Sequence, residues 1–103
     1  MEMKDLKPYK GKYAEIAVYD DGAGIAEIVD VDEEKIKLIW VQYTSCYNCQ
    51  VYEAEIYSRP TTYRINDICN IGRAKIESRI EADFLRAESL KNDVDIFRRY
   101  YAL

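Results

Sequence analysis

From Lys12 to Tyr19 the chain alternates. Ala14, Ile16 and Val18 fall on one side and Tyr13, Glu15, Ala17 and Tyr19 on the other, the period of a half-buried strand. Asp20-Asp21-Gly22-Ala23-Gly24 supplies turn residues that tolerate positive φ, so Ile25 to Val31 is expected to return antiparallel as the second arm of a hairpin. That second run keeps no single apolar face, which predicts a bulge. After the turn Asp32-Glu33-Glu34, Lys35 to Tyr43 is apolar on both faces: Ile36, Leu38 and Trp40 against Ile39, Val41 and Tyr43. This is read as the central strand. Val51 to Ser58 alternates again, predicting a fourth strand that Arg59-Pro60 ends. A short closing strand is expected near Cys69 to Ile71, after a turn or 3-10 step at Asn66-Asp67.

From Arg73 the rhythm changes. Ile76, Ile80, Phe84, Ala87, Leu90, Val94, Phe97 and Tyr101 are spaced 4, 4, 3, 3, 4, 3 and 4 apart, one stripe at the helical period. The predicted fold class is therefore α+β: a small, strongly bent antiparallel sheet or barrel of about five strands over 11–72, then a long amphipathic helix over 73–101. Gly72 is read as the point where the helix begins, and Asn92-Asp93 as a place where it could kink.

The whole chain, 1–103, suits a single domain, since two cores would each be too small to bury enough apolar surface. Apolar residues make up 49% and charged residues 33%, a balance that excludes a disordered composition. No apolar run approaches the roughly 20 residues of a membrane span, and Met1-Glu2-Met3-Lys4-Asp5 carries acids and no hydrophobic segment, so export is not expected. Three cysteines, an odd count, fit a reducing compartment, and cytoplasm is the expected location. The absence of histidine removes the commonest general base and a common zinc ligand. A non-enzymatic protein without a cofactor is expected.

Charge then singles out candidate surfaces. Residues 1 to 72 carry 8 basic and 13 acidic side chains, and the rest 7 and 6. Asp20, Asp21, Asp30, Asp32, Glu33 and Glu34 gather at the two ends of the second strand, and no calcium-loop spacing is present among them. With ten tyrosines in the chain, Tyr13, Tyr19 and Tyr57 fall beside Glu15, Glu53 and Glu55, a candidate partner-binding face of tyrosine and carboxylate. Along the helix Glu77, Glu81, Glu88 and Asp95 line one flank of the stripe and Lys75, Arg79 and Arg86 the other, which suits helix pairing and a homodimer. Leu85, Ile96 and Tyr100 lie on the far side of the stripe. Cys46-Tyr47-Asn48-Cys49 has the spacing of half a zinc site, with Cys69 and Asp67 as further candidates. That gives the alternative reading, a metal-binding or thiol protein.

Gly11-Lys12 before a strand, the Asp21-Gly22 turn, Ile25 to Val31, Lys35-Ile36-Lys37-Leu38 and the late Ile65-Asn66-Asp67-Ile68 resemble the strand pattern of small SH3-like or Sm-like barrels, including YolD-like proteins of bacteria and mobile elements. The resemblance covers 11 to 72 and implies a small barrel. Sm-like RNA binders imply a basic loop surface, which the acidic loops here do not offer, so direct nucleic-acid binding does not carry over. A weak nucleic-acid-binding barrel stands as a further alternative. The leading expectation is a protein-binding module acting through its acidic, tyrosine-rich surface and its helix. A particular version is a phage or mobile-element inhibitor that shows carboxylates to a basic nucleic-acid-binding protein.

Overall fold

The computed structural model describes residues 6–45 and 56–101, with side chains through 91. Five strands form one antiparallel sheet: β1 (Tyr13–Val18), β2 (Gly22–Val31), β3 (Lys35–Ser45), β4 (Thr61–Arg64) and β5 (Ile68–Arg73). One helix, Arg79–Tyr101, follows. The strand order is β4-β3-β2-β1-β5, so β2 takes the centre and not β3. The sheet is not closed into a barrel: its edges β4 and β5 are joined by a single 3-10 turn, Ile65–Asp67, as the sequence suggests. Backbone bonds from Ile65 N–H to Glu34 O and from Tyr19 N–H to Asp67 O, at 2.9 and 2.8 Å, tie that turn to both ends of the sheet.

The fourth strand differs from expectation. Residues 51–55 lie outside the described residues, Ile56 is helical, and Tyr57 and Ser58 sit in a turn. Pro60 precedes β4 instead of ending it, because a residue without an N–H suits the start of an edge strand as well as its stop.

Two slips in the β2–β3 ladder decide which side chains face which way. Ile28 pairs with Leu38 and Asp30 with Lys37, leaving Val29 extra in β2, the bulge the broken alternation predicts. Ile25 pairs with Gln42 and Ala26 with Trp40, leaving Val41 extra in β3. Val41 is therefore buried on one face, while Trp40 and Tyr43 share the other. At that site β2 runs so close to β3 that a Cβ on Gly24 would stand 1.8 Å from the Gln42 carbonyl oxygen. One on Gly22 would stand 2.3 Å from the Thr44 oxygen. The glycines serve close approach, and the positive φ of the turn, 58°, belongs to Asp20.

Each face has its own cluster. Ala14, Ile16, Val18, Ala26, Ile28, Ile36, Leu38, Trp40 and Tyr43 point to the main core, which Leu6, Tyr57, Ile65 and Ile68 close. Their alternating neighbours Tyr13, Ile25 and Val41 face the helix, where Ala74, Ile76, Ala82 and Leu85 cover them.

The helix begins at Arg79, not at Arg73. Ser78 caps it: its hydroxyl accepts from the Glu81 N–H at 3.2 Å and donates to the Glu81 carboxylate at 3.0 Å. Ile76 thus precedes the helix, and the stripe that it opens loses its phase. Ala82 and Ser89 are buried and Leu85 and Arg86 partly so, whereas Ile80 is 83% and Phe84 64% exposed. The expected inward stripe is buried at Ile76, ahead of the helix, and faces solvent at Ile80, Phe84, Ala87 and Leu90. Its later members, Val94, Phe97 and Tyr101, lie beyond the described side chains. The physical reason is the contact surface. Small Ala82 and Ser89 let the helix approach the sheet closely, and Arg86 Nε donates to the Trp40 carbonyl at 3.2 Å. A charged hydrogen bond of that kind is worth about 1.5–3 kcal/mol, comparable to burying one large apolar side chain.

Replacing Gly24 with alanine is expected to lower unfolding free energy by about 1–3 kcal/mol in urea titrations, since backbone must shift to admit the methyl group. Wild-type stability in that variant would contradict the close approach.

Candidate functional site

The structure divides the acidic candidates between two ends of a ten-residue strand. At about 3.3 Å per residue the two groups are about 30 Å apart. At the β2–β3 turn Asp30 takes a salt bridge from Lys10 at 3.1 Å and a hydrogen bond from the Val31 N–H at 2.9 Å. The Lys10 contact foremost, then the Val31 N–H, hold its carboxyl below the ordinary aspartate value. Asp32 Oδ1 accepts the Glu34 and Lys35 N–H groups at 2.8 Å each, which lowers its carboxyl in the same way and shapes the turn. Glu33 and Glu34 are exposed beside them.

At the other end Asp20 is exposed and Asp21 is drawn inward. Its two carboxylate oxygens accept the Tyr43 hydroxyl and the Tyr63 hydroxyl, the latter at 2.5 Å. Trp40 Nε1 donates to the Tyr63 oxygen at 3.2 Å, and the Trp40 ring lies 4.8 Å from that of Tyr43. Tyr57 completes the cluster: its hydroxyl accepts the Tyr43 N–H at 3.2 Å and donates to the Tyr43 carbonyl at 3.1 Å. One carboxylate from the β1–β2 turn thereby joins strands β3 and β4. Burial, then the bond to Asp21, pushes the Tyr43 and Tyr63 hydroxyls well above the ordinary tyrosine value. The arrangement holds protons tightly. It suits fixing the turn, not passing a proton at neutral pH.

The tyrosine candidates separate likewise. Tyr57 is buried, and Tyr13 is half-buried beneath the helix, where burial and then Glu27 raise its hydroxyl. Tyr19 is 59% exposed, next to the free, exposed Cys69, whose hydrogen bond raises it. Cys46, Cys49, Glu53 and Glu55 lie outside the described residues. Among the described residues no three or more cysteine or carboxylate groups stand where they could hold a metal. No described helix is long and apolar enough to cross a membrane. A groove of about 520 Å³ opens between the lead-in, at Pro8, Tyr9 and Lys12, and the stretch from Arg73 to Glu77. Its Arg73 and Glu77 close on each other at 2.7 Å.

The outward face of the helix is the surface that the sequence pattern had pointing inward. Ile80, Phe84, Ala87 and Lys91 fall within an arc of about 60° on the side opposite Ala82 and Ser89. Glu81 and Glu88 flank the arc on one side and Asp83 on the other, all exposed. The basic flank expected from Lys75, Arg79 and Arg86 keeps its two helical members, Arg79 and Arg86, on the side opposite Glu81 and Glu88, where Asp83 joins them. Lys75 precedes the helix, Arg86 turns to the Trp40 carbonyl and Asp83, and Arg79 reaches Asp83 at 3.9 Å. The Ser78-x-x-Glu81 spacing is the signal that would have set the phase.

Compared with family models, with curated proteins and with solved structures, the chain gives no match.

Because the folded-state values of Tyr43 and Tyr63 are raised, their contribution to stability is full below the ordinary tyrosine pKa of 10.0 and is lost as pH rises past it. Phenolate absorbance during alkaline titration is expected to show these two hydroxyls ionising only as the protein unfolds. Simultaneous titration of all ten tyrosines near pH 10 in folded protein would contradict the clamp.

Proposed function

We propose that this chain is a non-enzymatic protein-binding module whose docking surface is the outward face of its C-terminal helix. The observation that carries the reading is the exposure of Ile80 and Phe84, 83% and 64%, on a helix whose opposite side is already committed to the sheet. Burying both against a partner would contribute about 3–6 kcal/mol, enough for an aromatic-centred anchor. The net charge of −4 and the exposed Glu81 and Glu88 favour a partner with basic residues around an apolar contact. The separated acidic turns add long-range attraction for such a partner rather than a continuous contact. The fold reading that accompanies this is an SH3-like sheet. It is supported by edge strands joined through one 3-10 turn, and it assigns no ligand.

Affinity capture from a native lysate tests the site by comparing wild type, Phe84→Asp and the turn variant Glu33→Gln/Glu34→Gln, all of equal thermal stability. The reading expects a partner depleted about tenfold or more by Phe84→Asp and retained by the turn variant. Retention by Phe84→Asp with loss on the turn variant would overturn it.

A further inference from the structure

We infer that the groove between the lead-in and residues 73–77 is a small-molecule site that takes an aromatic carboxylate. The site is separate from the outward helix face and shares no residue with it.

Both walls are held by the fold itself. The lead-in turns through a 3-10 step, Lys7–Tyr9, tied by bonds from the Tyr9 N–H to the Leu6 oxygen at 3.0 Å and from the Lys12 N–H to the Tyr9 oxygen at 2.9 Å. Leu6 is fully buried, and the Gly11 N–H reaches the Ile28 oxygen at 2.8 Å from a backbone with φ 77°, which suits glycine. On the other side the β1–β5 ladder ends at the pair Ala14 and Arg73, and the chain beyond it folds Ala74 and Ile76 into the cluster under the helix. Where the two segments part, the groove leaves about 520 Å³ of room. That lies within the range of about 300–1,000 Å³ usual for small-ligand sites.

The lining is largely apolar: Pro8, Ala74, Ile76 and two half-buried rings, Tyr9 against the main core and Tyr13 against the helix-side cluster. Rings beside a proline favour a flat apolar body. Charge then selects the ligand's polar end. Of the described residues that line the groove, Lys12, Arg73 and Glu77 are charged, and the last two neutralise each other at 2.7 Å. Nearby Lys10 gives its ammonium to Asp30, whereas Lys12 has no ion pair among the described residues. Around the Tyr13 hydroxyl Glu27 and Asp83 are met by Arg79 and Arg86, two acids against two bases. One free positive charge therefore remains at the groove in a chain of net charge −4. A carboxylate finds a partner there, and an ammonium finds only an acid already taken.

The probe is naphthoate, set against naphthylmethylammonium, a twin of opposite charge on the same rings. Amide NMR signals of the full chain are expected to shift saturably with naphthoate at residues 9–13 and 73–77, and to stay in place with the ammonium twin. Lys12→Glu weakens naphthoate binding about threefold or more and Lys12→Arg retains it, the scale of one exposed ion pair. Lys12 is exposed, so both variants keep the fold. Four results overturn the inference: no saturable shift, equal shifts by both twins, shifts confined to residues 80–91, or undiminished binding by Lys12→Glu. Sedimentation showing a dimer that naphthoate dissolves would overturn it in favour of a second copy in the groove.

Discussion

The extra residue in β3 at Val41 is the constraint on which the rest depends. Because the ladder slips there, Trp40 and Tyr43 face the same side: Tyr43 donates to the carboxylate of Asp21, and Trp40 donates to Tyr63, whose hydroxyl donates to the same carboxylate. Val41 itself turns to the other face and becomes the floor beneath the helix. The Trp40 carbonyl at the slip receives Arg86, so the bulge also sets the helix's rotation about its own axis. One irregularity in pairing thus fixes a turn on one face and an orientation on the other.

The energetic consequence is a helix that docks through small residues and one charged hydrogen bond while its larger apolar side chains stay outside. Turning Ile80 and Phe84 inward would bury more carbon. It would also force bulk against a surface shaped for Ala82 and Ser89 and remove the guanidinium from the Trp40 carbonyl. The helix is anchored by its first turns, with Ser78 and Glu81 holding the start. Its outer strip, with Ile80 and Phe84, stays exposed.

How much of this was legible in the sequence follows from what each signal reports. The alternation at Ala14, Ile16 and Val18, the 3-10 step before β5 and the disturbed second strand were readable, because period and turn chemistry are local. The central place of β2 was not, since pairing order depends on residues far apart in the chain. The apolar stripe is legible, but from Ile80 to Leu90 its direction is reversed, while Ile76 is buried as the pattern predicts. Periodicity reports that one side of a helix is apolar, but a second, smaller face of Ala82, Leu85 and Ser89 can win the contact when the sheet beneath is close. Composition made the acids and tyrosines look like one surface. In the fold, Asp21, Tyr43, Tyr57 and Tyr63 bond to one another, and Asp30 and Asp32 shape a turn at the far end of β2.

The rotation of the helix is tested most directly by equilibrium urea unfolding of two single variants side by side. Ala82→Leu is expected to lose about 1–3 kcal/mol by overfilling the contact with the sheet, whereas Phe84→Ala stays within about 0.5 kcal/mol of wild type. The reverse pattern, a costly Phe84→Ala and a tolerated Ala82→Leu, would place the aromatic stripe inside and contradict the account.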